Sequence, residues 1–257
     1  MMDLKHFSLE GKVAIVTGAS RGIGRSTALA FARVGADIVL SSRKVDDLEK
    51  VAADIQSEGK RALVVGAHLG RMEDVKKVAD TAKAAFGRID ILVNNAGTSP
   101  VFASFLEAEE KLWDTVMNLN LKGLFFLSQA VARTMKDQGG GCIINVASID
   151  GFLPEIDSGV YAISKSGVIM ATKVMARELA SCNIRVNALA PGFVHTKLLD
   201  SSFDARPGRE QECLHDVPMG RLGQPEDMVG TMIYLASDAS KYTTGHTFIV
   251  DGGLLYV

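Results

Sequence analysis

The sequence predicts an α/β protein built on one doubly wound parallel sheet of about seven strands, with helices on both faces. Three observations carry that reading. Short Val- and Ile-rich runs recur without polar alternation, the pattern of strands buried on both faces. Helical patterns separate these runs, the rhythm of a parallel sheet with crossover helices. A glycine-rich turn directly follows the first run, where such folds receive a ligand at a helix N-terminus.

The elements follow in order. Apolar runs at 13–16, 38–40, 62–65 and 89–93 alternate with helical stretches. Gly35, Gly59 and Gly87 stand just before the next run. A helix-ending glycine belongs there, because the left-handed conformation costs it little. A helical pattern at 111–136 leads to a strand at 142–146. A second, at 160–180, is apolar on most faces, which implies burial in a core or between subunits. A strand at 184–190, a helix at 225–236 with Pro225 in its first turn and a strand at 247–250 close the series. Residues 193–219 interrupt it. They read as a substrate-binding loop or lid on a single domain spanning 1–257.

Composition narrows the class. With 257 residues, 47% hydrophobic and 23% charged, the chain can bury a large core and does not read as disordered or coiled coil. Lys and Arg total 28 against 30 Asp and Glu, interspersed, for a net charge of −2. That balance disfavours nucleic acid and an anionic membrane as partners. Every apolar run falls short of the ~18 residues of a spanning helix. The first ten residues carry Asp3, Lys5, His6 and Glu10, unlike a signal-peptide core. Cys142, Cys182 and Cys213 lie far apart. This odd count points to small buried thiols in a reducing, cytoplasmic compartment and away from a metal site.

The chemistry-bearing residues cluster at predicted strand ends. Gly18, Gly22 and Gly24, with Ser20, Arg21 and Ile23, form a GxxxGxG turn after the first strand. Backbone N–H groups can approach a pyrophosphate there. Asn94, Asn95, Ala96 and Gly97 follow the fourth strand; Asn95 reads as a structural tie, and both asparagines as neighbours of a cofactor. Ser148 ends the fifth strand. Tyr161 and Lys165, at i and i+4, share a helix face. A phenol titrates near ~10, and a neighbouring ammonium is expected to lower that value and make Tyr161 a usable acid/base. Ser148 is then placed to hold a substrate carbonyl or alcohol oxygen.

In order and spacing, these motifs resemble the short-chain dehydrogenase/reductase family. Asn120 in Asn-Leu-Lys-Gly also matches, as do Pro191 and Gly192 with Val194 and Thr196, the stretch 221–226, and Val250-Asp251-Gly252-Gly253. The resemblance covers essentially the whole chain. It implies a Rossmann-type sheet, NAD(P) binding and a homotetramer. It assigns proton transfer to Tyr161, and to Lys165 the tuning of Tyr161 and a contact with the nicotinamide ribose. Substrate positioning falls to Ser148, support of a water relay to Asn120, and the nicotinamide side to Pro191, Gly192, Val194 and Thr196.

The sequence departs from the family pattern in places. His68, followed by Leu69, stands where many members carry an adenine-binding Asp; an imidazole can donate from a ring nitrogen but lacks the fixed charge. Ala147 precedes Ser148 where a first Ser is common. Ser42 stands where NAD users usually have Asp, Arg43 follows it, and Arg21 adds a second cation. An Arg here accommodates a 2′-phosphate, so NADP(H) is favoured, with NAD(H) the other option.

The expected partner is a small-molecule ketone or secondary alcohol. The segment 193–219 mixes apolar and acidic residues, and Asp150, Glu155 and Asp157 lie between Ser148 and Tyr161. Acids facing the mouth would disfavour a strongly anionic substrate. Arg133 and Arg177 match positions that dock acyl carrier protein in the family's 3-oxoacyl reductases. Reduction of a 3-oxoacyl thioester or a general carbonyl is therefore the leading expectation. A sugar or polyol dehydrogenase is the alternative within the family, and a non-catalytic nucleotide-sensing protein the alternative outside enzymes.

Overall fold

The strands are β1 (Val13–Thr17), β2 (Asp37–Ser42), β3 (Ala62–Gly66), β4 (Ile91–Asn94), β5 (Gly141–Val146), β6 (Ile184–Pro191) and β7 (Thr247–Val250). In the computed structural model, which describes residues 4–206 and 208–256, they form one sheet in the order β3-β2-β1-β4-β5-β6-β7. Every pairing is parallel. The helices are α1 (Gly22–Arg33), α2 (Val45–Ser57), α3 (Met72–Phe86), α4 (Glu110–Met117), α5 (Leu124–Asp137), α6 (Gly159–Leu179), α7 (Lys197–Ala205), α8 (Arg209–Asp216) and α9 (Val229–Ala236).

Successive side chains of β1 show why the apolar runs lack alternation. Val13 and Ile15 enter a core with Val78 of α3, Val131 of α5 and Val168 of α6. Ala14 and Val16 enter the opposite core with Phe31 of α1, Leu48 of α2 and Met232 of α9. Strand side chains point to alternate faces, and here both faces are covered. Gly87 ends α3 in the left-handed conformation, φ 73°, its N–H on the Lys83 carbonyl.

Three predicted stretches differ in detail. The helix expected over 111–136 is α4 and α5 joined by a π-turn at Asn118–Gly123. Gly123 packs so close to the Leu69 carbonyl that no Cβ fits. The loop expected over 193–219 contains α7 and α8. A 3₁₀ turn at Pro225–Met228 opens the last helical stretch. The long helices also leave apolar side chains in the open: Trp113, Phe125, Phe126, Ile163, Met170 and Val174 are exposed. Cys142 and Cys213 are buried and Cys182 partly so. Among the described residues, no helix is long and apolar enough to cross a membrane.

Candidate active site

Strand order reverses between β1 and β4, and in such sheets the ligand crevice lies beyond the carboxyl ends at that point. A cleft of about 460 Å³ opens there, lined by the segments that follow β1 to β6. Its first wall is backbone. Gly18 (φ 64°) and Gly22 (φ 54°) adopt left-handed conformations. A Cβ on Gly18 would lie 2.7 Å from Asn95 Nδ2. Thr17 clasps β1 to β4: its hydroxyl donates to the Val93 carbonyl (3.1 Å) and accepts from the Asn95 and Ala96 N–H groups (2.9 and 3.0 Å). The N-terminus of α1 has no side-chain cap, so its first N–H groups are left for a ligand.

Ser41, Ser42, Arg43 and His68 extend this wall. Arg21 and Arg43 are exposed and neither has an ion-pair partner among the described residues. The Ser41 hydroxyl is buried with no hydrogen-bond partner. His68 Nδ1 accepts the Gly70 N–H at 3.1 Å, which leaves Nε2 as the donor of the neutral ring. A side-chain-free cradle at a helix N-terminus, flanked by unpaired guanidinium groups and an orphaned hydroxyl, fits a dinucleotide with an added phosphate.

The second wall carries the reactive side chains. Ser148 Oγ accepts the Asp150 N–H at 3.2 Å and lies within hydrogen-bonding reach of the Tyr161 phenol. Lys165, 4% exposed, donates one hydrogen bond to the Val146 carbonyl at 2.8 Å, and its Nζ stands 5.5 Å from the Tyr161 ring centroid. Burial lowers Lys165 to about 8, against the Asp150 charge, which raises it. Ser20, Ile23, Leu69, Gly97, Pro191, Gly192, Val194 and Thr196 also line the cleft.

Three sequence expectations need correction. Tyr161 is not lowered by its lysine: burial, then the Asp150 charge, push the phenol above its ordinary value, and only the Ser148 hydrogen bond opposes them. The Lys165 ammonium sits over the ring face and is bonded to Val146. Asn94 is not at the cleft. It is buried, its Nδ2 donating to Ser128 Oγ (2.8 Å) and Asn145 Oδ1 (2.9 Å), and Asn95 lines the wall in its place. Gly24 does not line the cleft either; it packs under Gly18, whose carbonyl oxygen would be 2.5 Å from a Cβ. Asn120 is 1% exposed, and its side-chain amide is committed to Thr98 and to Ser164 Oγ. That amide fixes the loop after β4 to α6.

Comparison with known proteins gives the lineage. The family model described as enoyl-(acyl carrier protein) reductase matches residues 18–255. The 2-dehydro-3-deoxy-D-gluconate 5-dehydrogenase of Escherichia coli is 46% identical over 255 residues, covering 99% of both chains. This chain is a short-chain dehydrogenase/reductase. It is thus an NAD(P)-dependent oxidoreductase of CH–OH and C=O groups. The 3-oxoacyl-(acyl-carrier-protein) reductase of Thermotoga maritima is 39% identical, over 96% of this chain and 99% of that protein. A gluconate 5-dehydrogenase from Burkholderia cenocepacia, solved in complex with NADP and tartrate, superposes with a TM-score of 0.93 at 36% identity, covering 99% of each chain.

The part of this dehydrogenase/reductase that sequence motifs did not locate is the end of the cleft beyond Tyr161. Asp150, Glu155 and Ser158 line it from the loop after β5, and Lys197, Leu198, Ser201 and Ser202 from α7, with Phe102 and Phe193 between. Among the described residues, only the first part of the expected lid, 193–202, reaches the cleft. The second part holds it from behind: Arg209 of α8 ion-pairs with Glu155 and lies 5.4 Å over the Phe193 ring. Asp157, with φ 64°, does not line the main cleft. Acids between Ser148 and Tyr161 are a visible signal in the sequence; which of them turn inward is set by the loop's fold.

Proposed function

We propose that this chain is an NADP(H)-dependent dehydrogenase/reductase of a small, polyhydroxylated, sugar-type substrate. The observation that carries this reading is the lining beyond Tyr161, where Asp150, Glu155, Ser158, Lys197, Ser201 and Ser202 offer hydrogen-bonding groups on both sides. The relative at 46% identity acts, by its name, on a sugar acid, which supports the alternative stated above over the 3-oxoacyl-thioester reading. Arg133 and Arg177 are exposed and lie outside the cleft lining.

Bound nicotinamide supplies the hydride chemistry. In reduction, the Tyr161 hydroxyl gives its proton to the carbonyl oxygen. Ser148 Oγ, already accepting from Asp150, donates to the same oxygen. Lys165, anchored on Val146, presents its remaining protons and its charge to the region where Gly97 lies, 3.6 Å from Nζ to a Cβ there. Thr98 and the rest of that loop are held by Asn120. Gly18, Ser20, Gly22 and Ile23 receive the pyrophosphate; Ser42, Arg43 and Arg21 receive the 2′-phosphate. Residues 193–202 form the substrate-side wall of a single domain. The exposed apolar side chains of α4, α5 and α6 support a homotetramer, in which isologous contacts would cover them.

The test is NADPH oxidation with three classes of ketone. Dehydrogluconates are expected to be turned over best, simple ketones less well, and 3-oxoacyl thioesters least. A thioester preference would return the main reading to 3-oxoacyl reduction.

A further inference from the structure

Asp150 is the residue of the cleft that the reaction above does not use through its carboxylate. It is 9% exposed, lines the cleft between Ser148 and Ser158, and its charge reaches both Tyr161 and Lys165. Its own N–H holds Ser148, so its position relative to the reacting oxygen is fixed by the same turn. Glu155 beside it is neutralised by Arg209; Asp150 has no such cation of its own among the described ion pairs. Ser158 gives the carboxylate one side-chain hydrogen bond, and the Lys165 and Arg209 charges favour its ionised form; a carboxylate has further lone pairs with which to accept. A ligand hydroxyl near the reacting carbon supplies a donor, whereas a ligand carboxylate would be repelled.

We propose that Asp150 is a specificity-determining residue: its carboxylate accepts a hydrogen bond from a substrate hydroxyl adjacent to the reacting carbon, so the enzyme selects α-hydroxy ketones over plain ketones. This rests on the sugar-type reading and assigns that preference to one side chain. A site that hydrogen-bonds a substrate hydroxyl rejects the analogue lacking it, because its buried polar group is left unpaired.

The experiment compares 3-hydroxybutan-2-one with butan-2-one, which differ by one hydroxyl, and 5-dehydro-D-gluconate as a sugar ketone. NADPH-dependent kcat/KM is measured for wild type, Asp150→Asn and Asp150→Ala, with folding of each variant checked by its thermal transition. Wild type is expected to favour 3-hydroxybutan-2-one by about 10- to 150-fold, the range of a hydrogen bond to a charged group. In Asp150→Ala that ratio is expected to fall to about 1–3, with Asp150→Asn between, because an amide oxygen still accepts but carries no charge. If both ketones lose activity in parallel, Asp150 acts only through Ser148 and Tyr161, and the proposal is overturned. If wild type shows the preference and the variants keep it, the sugar-type reading stands and Asp150 is not its source. If wild type shows no preference and ignores the dehydrogluconate, both fall.

Discussion

The two ends of the cleft are built from different materials. The nucleotide end is made of backbone: glycines too crowded for a Cβ, the Thr17–Asn95 clasp between two strands, and the open N-terminus of α1. The far end is made of side chains on two connecting segments, Asp150 to Ser158 and Lys197 to Ser202, the first of them tied to α8 by the Glu155–Arg209 ion pair. A wall made of backbone tolerates few sequences. A wall made of loop side chains can be changed one residue at a time, which is how one fold hosts many substrates.

Substitutions at the two ends should therefore separate cleanly. The largest effect is expected where they meet. Tyr161→Phe removes the proton donor and keeps the ring, so kcat should fall by about 10²–10⁴-fold while NADPH titrated by its fluorescence binds as before. Near-normal turnover in this variant would remove Tyr161 from the reaction. Next comes the nucleotide end. Arg43→Ala should weaken NADPH by roughly 10- to 150-fold and leave NADH nearly untouched, since a hydrogen bond to a charged group contributes ~1.5–3 kcal/mol. Equal weakening of both cofactors would mean that Arg43 does not meet the extra phosphate.

The far end offers a thermodynamic handle. Burial, and behind it the Glu155 charge, push Asp150 up to about 6 from its ordinary 3.8. Its folded pKa is thus above its unfolded one, so the folded state binds the extra proton between these values. The stability Asp150 contributes is present below pH ~4 and lost as pH rises through ~6. A shift of this size corresponds to a few kcal/mol, at ~1.4 kcal/mol per unit. The thermal midpoint of Asp150→Asn, relative to wild type, should therefore rise between pH 4 and pH 7.5; a constant difference would contradict the burial argument. The smallest effect belongs to the lid. Arg209→Ala should raise substrate KM about 3- to 10-fold, in keeping with ~1 kcal/mol for a partly buried ion pair, with NADPH affinity retained. A matching loss of NADPH affinity would show that α8 supports the whole cleft.

The same contrast explains what could be read from the amino-acid order. Val- and Ile-rich runs and helix-ending glycines report backbone geometry directly, so the strands and their parallel pairing were legible, as were Gly18, Gly22, Ser148 and Tyr161 at strand and helix ends. Asn94 and Asn95 are adjacent and chemically alike, and only the pleat of β4, which turns alternate residues to opposite faces, decides that Asn94 is buried on Ser128 and Asn145. The i+4 neighbour of Tyr161 is visible in sequence, whereas the burial and the Asp150 charge that raise its phenol are tertiary. Lys197, Ser201 and Ser202 carry no motif; α7 brings them to the cleft.

The clasp at Thr17 also sets a timetable for synthesis. Gly18 is made 77 residues before the asparagine whose amide holds its carbonyl. At about 5–20 residues per second, the glycine-rich turn waits roughly 4 to 15 s for its wall. A second, shorter wait follows: the Gly192 N–H needs the Val250 carbonyl, and the Met219 N–H needs that of Gly252. Ser148, Tyr161 and Lys165 are therefore all in the chain before the floor beneath them exists. Until β4 arrives, β1 carries two apolar faces and an open edge beside it, the condition under which nascent chains pair with one another. Whatever protects this protein during its making must do so in that interval, and β4, four residues long, ends it.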